Sequence, residues 1–119
     1  NTFLSCPRFH SLRAVELCAQ HPGKMWRIEE DRLLPLLDDG GVVPPWHSTP
    51  YQGLPPVYVQ NASLEIAWTR VALELNSIAG DKLIPFITNE AEGFDINLPE
   101  DWILAEHMIK TNRFKLPVI

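Results

Sequence analysis

The sequence predicts one domain, residues 1–119, of α/β class with α+β as the alternative: a sheet of short strands and a C-terminal helix. Two runs flanking Asn61 carry the strand prediction. Val57, Tyr58 and Val59 are β-branched or aromatic, and residues 64–68 alternate apolar with polar. The helix prediction rests on residues 98–110. Pro99 is preset for a first helical turn, Glu100 and Asp101 put negative charge at its N-terminus, and Lys110 puts positive charge at its end. Trp102, Leu104, Ala105, Met108 and Ile109 give that helix one broad apolar face. With 45% hydrophobic and 21% charged residues, 119 residues can bury a modest core.

Taken in order, residues 2–6 predict an opening strand that Pro7 ends. Residues 10–19 are ambiguous: Leu12, Val15 and Leu17 give a weak helical or irregular pattern. His21-Pro22-Gly23 predicts a turn. Residues 24–28 alternate as a half-buried strand, Glu29-Glu30-Asp31 forms a hairpin tip, and residues 33–37 return as a strand that Pro35 interrupts. Residues 38–56 carry five prolines and predict a Pro-rich arm or loop, a length of irregular chain that is usually functional or an interaction arm. Trp46 within it is either a packing anchor or an interface residue. Asn61, which tolerates positive φ, predicts a turn between the two central strands. Thr69 predicts the N-cap of a short helix through Leu75, with Val71, Ala72 and Leu75 on one side. Ala79-Gly80-Asp81 predicts a turn. Residues 82–88 predict a strand that Pro85 confines to an edge or a bulge, and residues 94–96 a short one.

Composition excludes several function classes. The net charge of −5 comes with no Lys/Arg cluster, so nucleic acid has no electrostatic footprint to meet. No apolar run approaches the roughly 18 residues of a membrane span, so no membrane partner is expected. The first residues lack the basic and apolar blocks of a signal peptide. Cys6 and Cys18 show no metal-ligand spacing and read as free thiols in a cytoplasmic protein, with a single disulfide as the alternative. His10, His21, His47 and His107 show no metal spacing either. No P-loop, G-x-S-x-G or Cys/His nucleophile pattern occurs, so no catalytic residue is predicted.

Two stretches resemble a known family. Gln52, Leu54-Pro55, Tyr58 and Asn61 resemble the Q-x-L-P…Y-x-x-N-G stretch of cytidylyltransferases that activate sugar acids, the CMP-sialic acid synthetase group. Residues 93–102, Gly-Phe-Asp-Ile-Asn-Leu-Pro-Glu-Asp-Trp, look like the D-I-D…E-D segment that closes the same domain. Residues 24–28 resemble the family's h-P-x-k-m-w strand. The motifs stand in the family's order and at about its spacing, and they cover the C-terminal half of its domain. The resemblance implies part of a mixed sheet of the nucleotide-diphospho-sugar-transferase type, with a hairpin arm that reaches a second subunit. It assigns Gln52, Tyr58 and Asn61 to the sugar-acid side of the cleft. It assigns Asp95 to Mg²⁺, with neutral Asn97 standing where the family has a second Asp.

The residues also have readings without the resemblance. Asn97 caps the last helix, with Glu100 completing a capping box. Tyr58 is a core residue and Asn61 a turn residue. The motif departs from the family where ligand is met: Tyr51 replaces a basic residue, Ala62 replaces the Gly of N-G, and Glu65 replaces a later Tyr. The family's Gly-rich phosphate loop and pyrimidine-binding segment have no counterpart in these 119 residues. The expectation is therefore a truncated cytidylyltransferase-like protein, not catalytic alone. It is expected to act as a homo-oligomeric binding or structural module, commonly a two-fold dimer. The alternatives are the C-terminal half of a split CMP-sugar-acid synthetase, completed by a separate N-terminal chain, and a small sugar-acid or nucleotide binder.

Overall fold

Four consecutive residues, Ser11, Leu12, Arg13 and Ala14, are buried in the computed structural model, which describes residues 3–89 and 91–114. They begin β1 (Ser11–Leu17), which is followed by β2 (Trp26–Glu29), β3 (Arg32–Pro35), β4 (Tyr58–Ala67), α1 (Thr69–Leu75), β5 (Leu83–Ile87) and α2 (Pro99–Lys110). Short 3₁₀ turns occupy Pro22–Lys24, Trp46–Ser48 and Tyr51–Gly53. The content is mixed, consistent with α+β. Contacts divide the chain into two units, one of Asn1–Glu16 with Gln60–Ile119 and one of Leu17–Val59.

The first unit is built on a three-stranded sheet in the order β4-β1-β5. β1 runs parallel to β5, with Ser11 opposite Leu83 and Val15 opposite Ile87. β4 runs antiparallel to β1: Trp68 N–H donates to the His10 carbonyl at 3.2 Å, and Cys18 N–H donates to the Val57 carbonyl at 2.8 Å. The chain takes eleven steps from Val57 to Trp68 but only eight from His10 to Cys18, so β4 carries extra residues and is bulged. This corrects the expected turn at Asn61. One strand of ten residues runs through it.

The weak pattern of residues 10–19 has its explanation in the place of β1. A strand with neighbours on both sides, covered on both faces, does not alternate apolar with polar. Its two buried polar residues are satisfied. Ser11 Oγ donates to the Ala79 carbonyl at 2.7 Å, and Arg13 donates to the Ile78 carbonyl and forms an ion pair with Glu65. Leu12, Ala14 and Val71 form the apolar core together with Phe3, whose ring stacks on Trp68 at 5.1 Å. The expected opening strand is not formed: residues 3–5 are a turn in which Cys6 N–H returns to the Phe3 carbonyl, and Thr2 lies outside the described residues. Residues 94–96 are irregular chain rather than a strand. Trp68, not Thr69, is the N-cap of α1, and no side chain bonds there.

Pro85 shows why β5 is tolerated at the sheet edge. Thr88 N–H and the Lys82 carbonyl both bond to the β1 side, so even-numbered residues face β1 and odd-numbered ones face outward. Pro85 therefore removes a donor from the open side, which blunts the edge against a further strand.

In the second unit β2 and β3 form an antiparallel hairpin that pairs Trp26 with Pro35 and Glu29 with Arg32. The tip is the two-residue turn Glu30-Asp31, with Glu30 at φ 54°. All four β2 residues are exposed, which corrects the half-buried strand the sequence predicted. Both cysteines are free thiols.

Replacing Pro85 with Val returns the outward donor without touching the β1 ladder. Stability by denaturant unfolding should change by no more than about 0.5 kcal/mol. Aggregation, followed by light scattering at rising concentration, should increase.

Candidate functional site

The carboxyl ends of two parallel strands are where open sheets with crossover connections hold ligands, and here they hold a polar cluster around Asn61. Its amide donates to Thr88 Oγ1 at 2.9 Å and to Glu16 Oε2 at 3.4 Å. Its carbonyl oxygen accepts from Ser63 N–H at 3.2 Å and Ser63 Oγ at 2.7 Å. Thr88 is buried, and its backbone N–H and Oγ1 both bond to the Val15 carbonyl. Gly93 closes the cluster: a Cβ there would overlap the Glu16 carboxylate and lie 2.5 Å from the Asn61 amide nitrogen. The sequence named Asn61 for the sugar-acid side of a cleft and not for this network, and Glu16, Thr88 and Gly93 were not singled out as site residues. Only the parallel register of β1 and β5 brings Glu16 and Thr88 to one end.

Two residues beyond Gly93 stands Asp95. One of its carboxylate oxygens accepts from Ile96 N–H at 2.9 Å and the other from the Asn97 side-chain amide at 3.0 Å. Asn97 is not the helix cap. A residue before proline is held extended, so Pro99 at the first helical position makes Leu98 the N-cap, at φ −124° and ψ 158°. The residue three further on is then Asp101, not Glu100. Its carboxylate accepts from Leu98 N–H at 2.8 Å and Asn97 N–H at 3.0 Å. Among the described residues no group of three or more His, Cys, Asp or Glu is placed to hold a metal. Asp95 thus stands as a single carboxylate beside a neutral amide, one negative charge fewer than the pair of Asp that the resemblance implies at a Mg²⁺ site.

Beyond this segment, α2 and residues 91–96 enclose an apolar groove of about 330 Å³, lined by Phe94, Ile96, Trp102, Ala105, Met108 and Phe114. The broad helix face expected from sequence is narrower here: Ala105 and Met108 turn inward, while Leu104 is exposed. At its rim Glu106 accepts from Trp102 Nε1 at 3.2 Å and from Lys110 Nζ at 3.1 Å. The Lys110 hydrogen bond and charge, with a smaller part from Trp102, hold the Glu106 carboxyl below the usual carboxylate range.

In the second unit Gln52 is exposed and lines a groove of about 360 Å³ with Cys18, His21, Tyr51, Leu54 and Pro55. Val57, not Tyr58, reaches this groove; Tyr58 is exposed on β4. Thus the structure gathers Gln52 with the Leu54-Pro55 part of its motif, while Asn61 belongs to the first unit. Buried His21 organises the groove. Gly23 N–H donates to its Nδ1 at 2.9 Å, so the proton sits on Nε2, which donates to the Pro55 carbonyl at 2.9 Å. Trp46 packs edge-on to His21 at 5.8 Å, and a Cβ on Gly23 would come within 3.0 Å of it. Trp46 is a packing anchor that ties its loop to the His21-Pro22-Gly23 turn. Asp39 pins that loop by accepting from Trp46 N–H and Gly41 N–H, each at 3.0 Å.

A scan against protein-family models finds no match, and a search of the curated proteins finds none.

The Trp46 hydrogen bond, then that of Gly41, holds the Asp39 carboxyl below its ordinary value. A carboxyl lowered in the folded chain contributes ordering above the ordinary carboxylate pKa and loses it as pH falls through the lowered one. Measured against the intrinsic exchange rate at each pH, the Trp46 amide should therefore keep its protection from neutral pH through the ordinary carboxylate range and lose it only as pH falls through the lowered pKa. In Asp39→Asn it should exchange fast throughout. Amide exchange by NMR checks both.

Proposed function

We propose that the chain is a cytidylyltransferase-like interaction module, not catalytic alone, that covers its apolar surface with a second copy of itself. In this reading its mixed sheet is part of a nucleotide-diphospho-sugar-transferase-like sheet. The observation that carries the proposal is how much large apolar side chain each unit leaves in solvent. In the second unit Ile28 is 76% exposed, Leu33 59% and Val43 89%, and among its described residues only His21 and Gly23 are buried. In the first unit Trp102 is 59% exposed and Ile103 68%, both on α2. Apolar surface of this kind marks interaction sites, and two-fold self-association is the commonest way to cover it.

Pro85 on β5 and the bulged β4 disfavour strand-to-strand addition, so association uses the faces of the strands and helix. A role apart from nucleotidyl transfer draws support from the Asp95 segment, where one engaged carboxylate meets a neutral amide. Gln52 and its groove are the surface on which a sugar acid would be sought.

Light scattering across a dilution series tests the reading. The expected mass is twice that of the chain, falling to the single chain on dilution together with the melting temperature. A well-folded single chain at every concentration overturns self-association. CTP or a sugar acid raising the melting temperature would replace the module with a binder.

A further inference from the structure

We infer that Asn61 is a positioning residue: with Glu16 it forms the stop against which Gly93 is seated, and this seat fixes where the Asp95 carboxylate stands. The inference goes beyond the interaction module and does not depend on the oligomeric state. It starts from valence. An asparagine side chain offers two donors and two acceptor lone pairs, and all four are used within the chain, by Thr88, Glu16 and, twice, Ser63. The network also fixes the amide orientation, because the flipped amide would aim N–H at the Ser63 N–H. Asn61 has nothing left to offer a ligand.

What it offers is a wall. The open space at Gly93 is closed by the Glu16 carboxylate and the Asn61 amide, so a Cβ there would have to displace one or both of these side chains. Both side chains are themselves placed: Asn61 by the bulged β4 and Thr88, Glu16 by β1. The chain from Thr88 to Asp101 is then anchored in sequence. Thr88 N–H is bonded to Val15, and the Asn89 carbonyl accepts from Glu92 N–H and Gly93 N–H. Gly93 meets the stop, and Asn97 and Leu98 N–H groups are held by Asp101. Phe94 and Ile96 add apolar contact along the α2 groove. Asp95 is the exposed carboxylate that this run of anchors presents. Two stretches some thirty residues apart, those of Asn61 and Asp95, are thus joined through one glycine.

Amide exchange by NMR tests this in Gly93→Ala, Glu16→Ala and the double variant. Gly93→Ala should speed exchange at Ile96 and Asn97 by about tenfold, while Ala14 and Phe86 in the sheet stay within about twofold. Adding Glu16→Ala, which clears the nearest obstacle to the new Cβ, should recover most of that change. Unchanged exchange at Ile96 and Asn97 overturns the inference. So does equal acceleration at Ala14, or additive effects in the double variant. If Gly93→Ala does not fold, Asn61→Ala reads the same contact from the other side: faster exchange at Ile96 and Asn97 than at Ala14 supports the stop, and a uniform change overturns it.

Discussion

The parallel pairing of β1 with β5 is the constraint on which the first unit depends. It places Ser11 opposite Leu83 and Val15 opposite Ile87, which sets Glu16 beside Thr88 at one end and Ser11 near the 77–80 loop at the other. A shift of one residue would turn every side chain of β1 to the wrong face. Arg13 would then lose Glu65 and the Ile78 carbonyl, leaving a buried guanidinium unpaired, and that is costly. The polar residues of this central strand fix its register, while Leu12, Ala14 and Val71 supply the burial. Neither would be enough alone with so small a core.

The second unit is organised differently. Its centre is a histidine, a glycine, a tryptophan and carbonyl groups, tied by directional bonds rather than by an apolar cluster. Asp38 and Asp39 hold the adjoining Gly40 and Gly41, both at positive φ, and Thr49 Oγ1 donates to the carbonyls of Pro44 and Pro45. Lys24 reaches both the His47 carbonyl and the Tyr51 ring. Such bonds each contribute modestly. The proline rings add to them by limiting the unfolded chain. A unit built this way has a defined shape but keeps its aliphatic side chains in solvent, which is the physical basis for proposing self-association through it.

Legibility in the sequence followed the physics of each element. The hairpin, β5 and α2 were legible because turn residues, a proline-marked edge and terminal charges act locally. β1 was not, because double-sided burial erases alternation and leaves Ser11 and Arg13 looking like surface residues. The opening strand failed for the converse reason: Phe3 is apolar in order to stack on Trp68, not to join a ladder. In the candidate site Asn61 was read as a turn, whereas a strand runs through it, and both that strand and the partners Glu16 and Thr88 depend on non-local register.

The cap of α2 shows how local rules compete. Asn is among the best N-caps and Leu among the poorest, so residue preference alone selects Asn97. Proline decides otherwise. Pro99 cannot be preceded by a helical residue without a clash at its Cδ, so the extended residue must be Leu98. The unfavourable cap is then offset by Asp101, whose one carboxylate oxygen serves two N–H groups and whose charge faces the positive end of the helix. Freed from capping, the Asn97 amide turns back to Asp95. The conformational demand of one ring thus determines which side chain caps the helix and which one meets the exposed carboxylate.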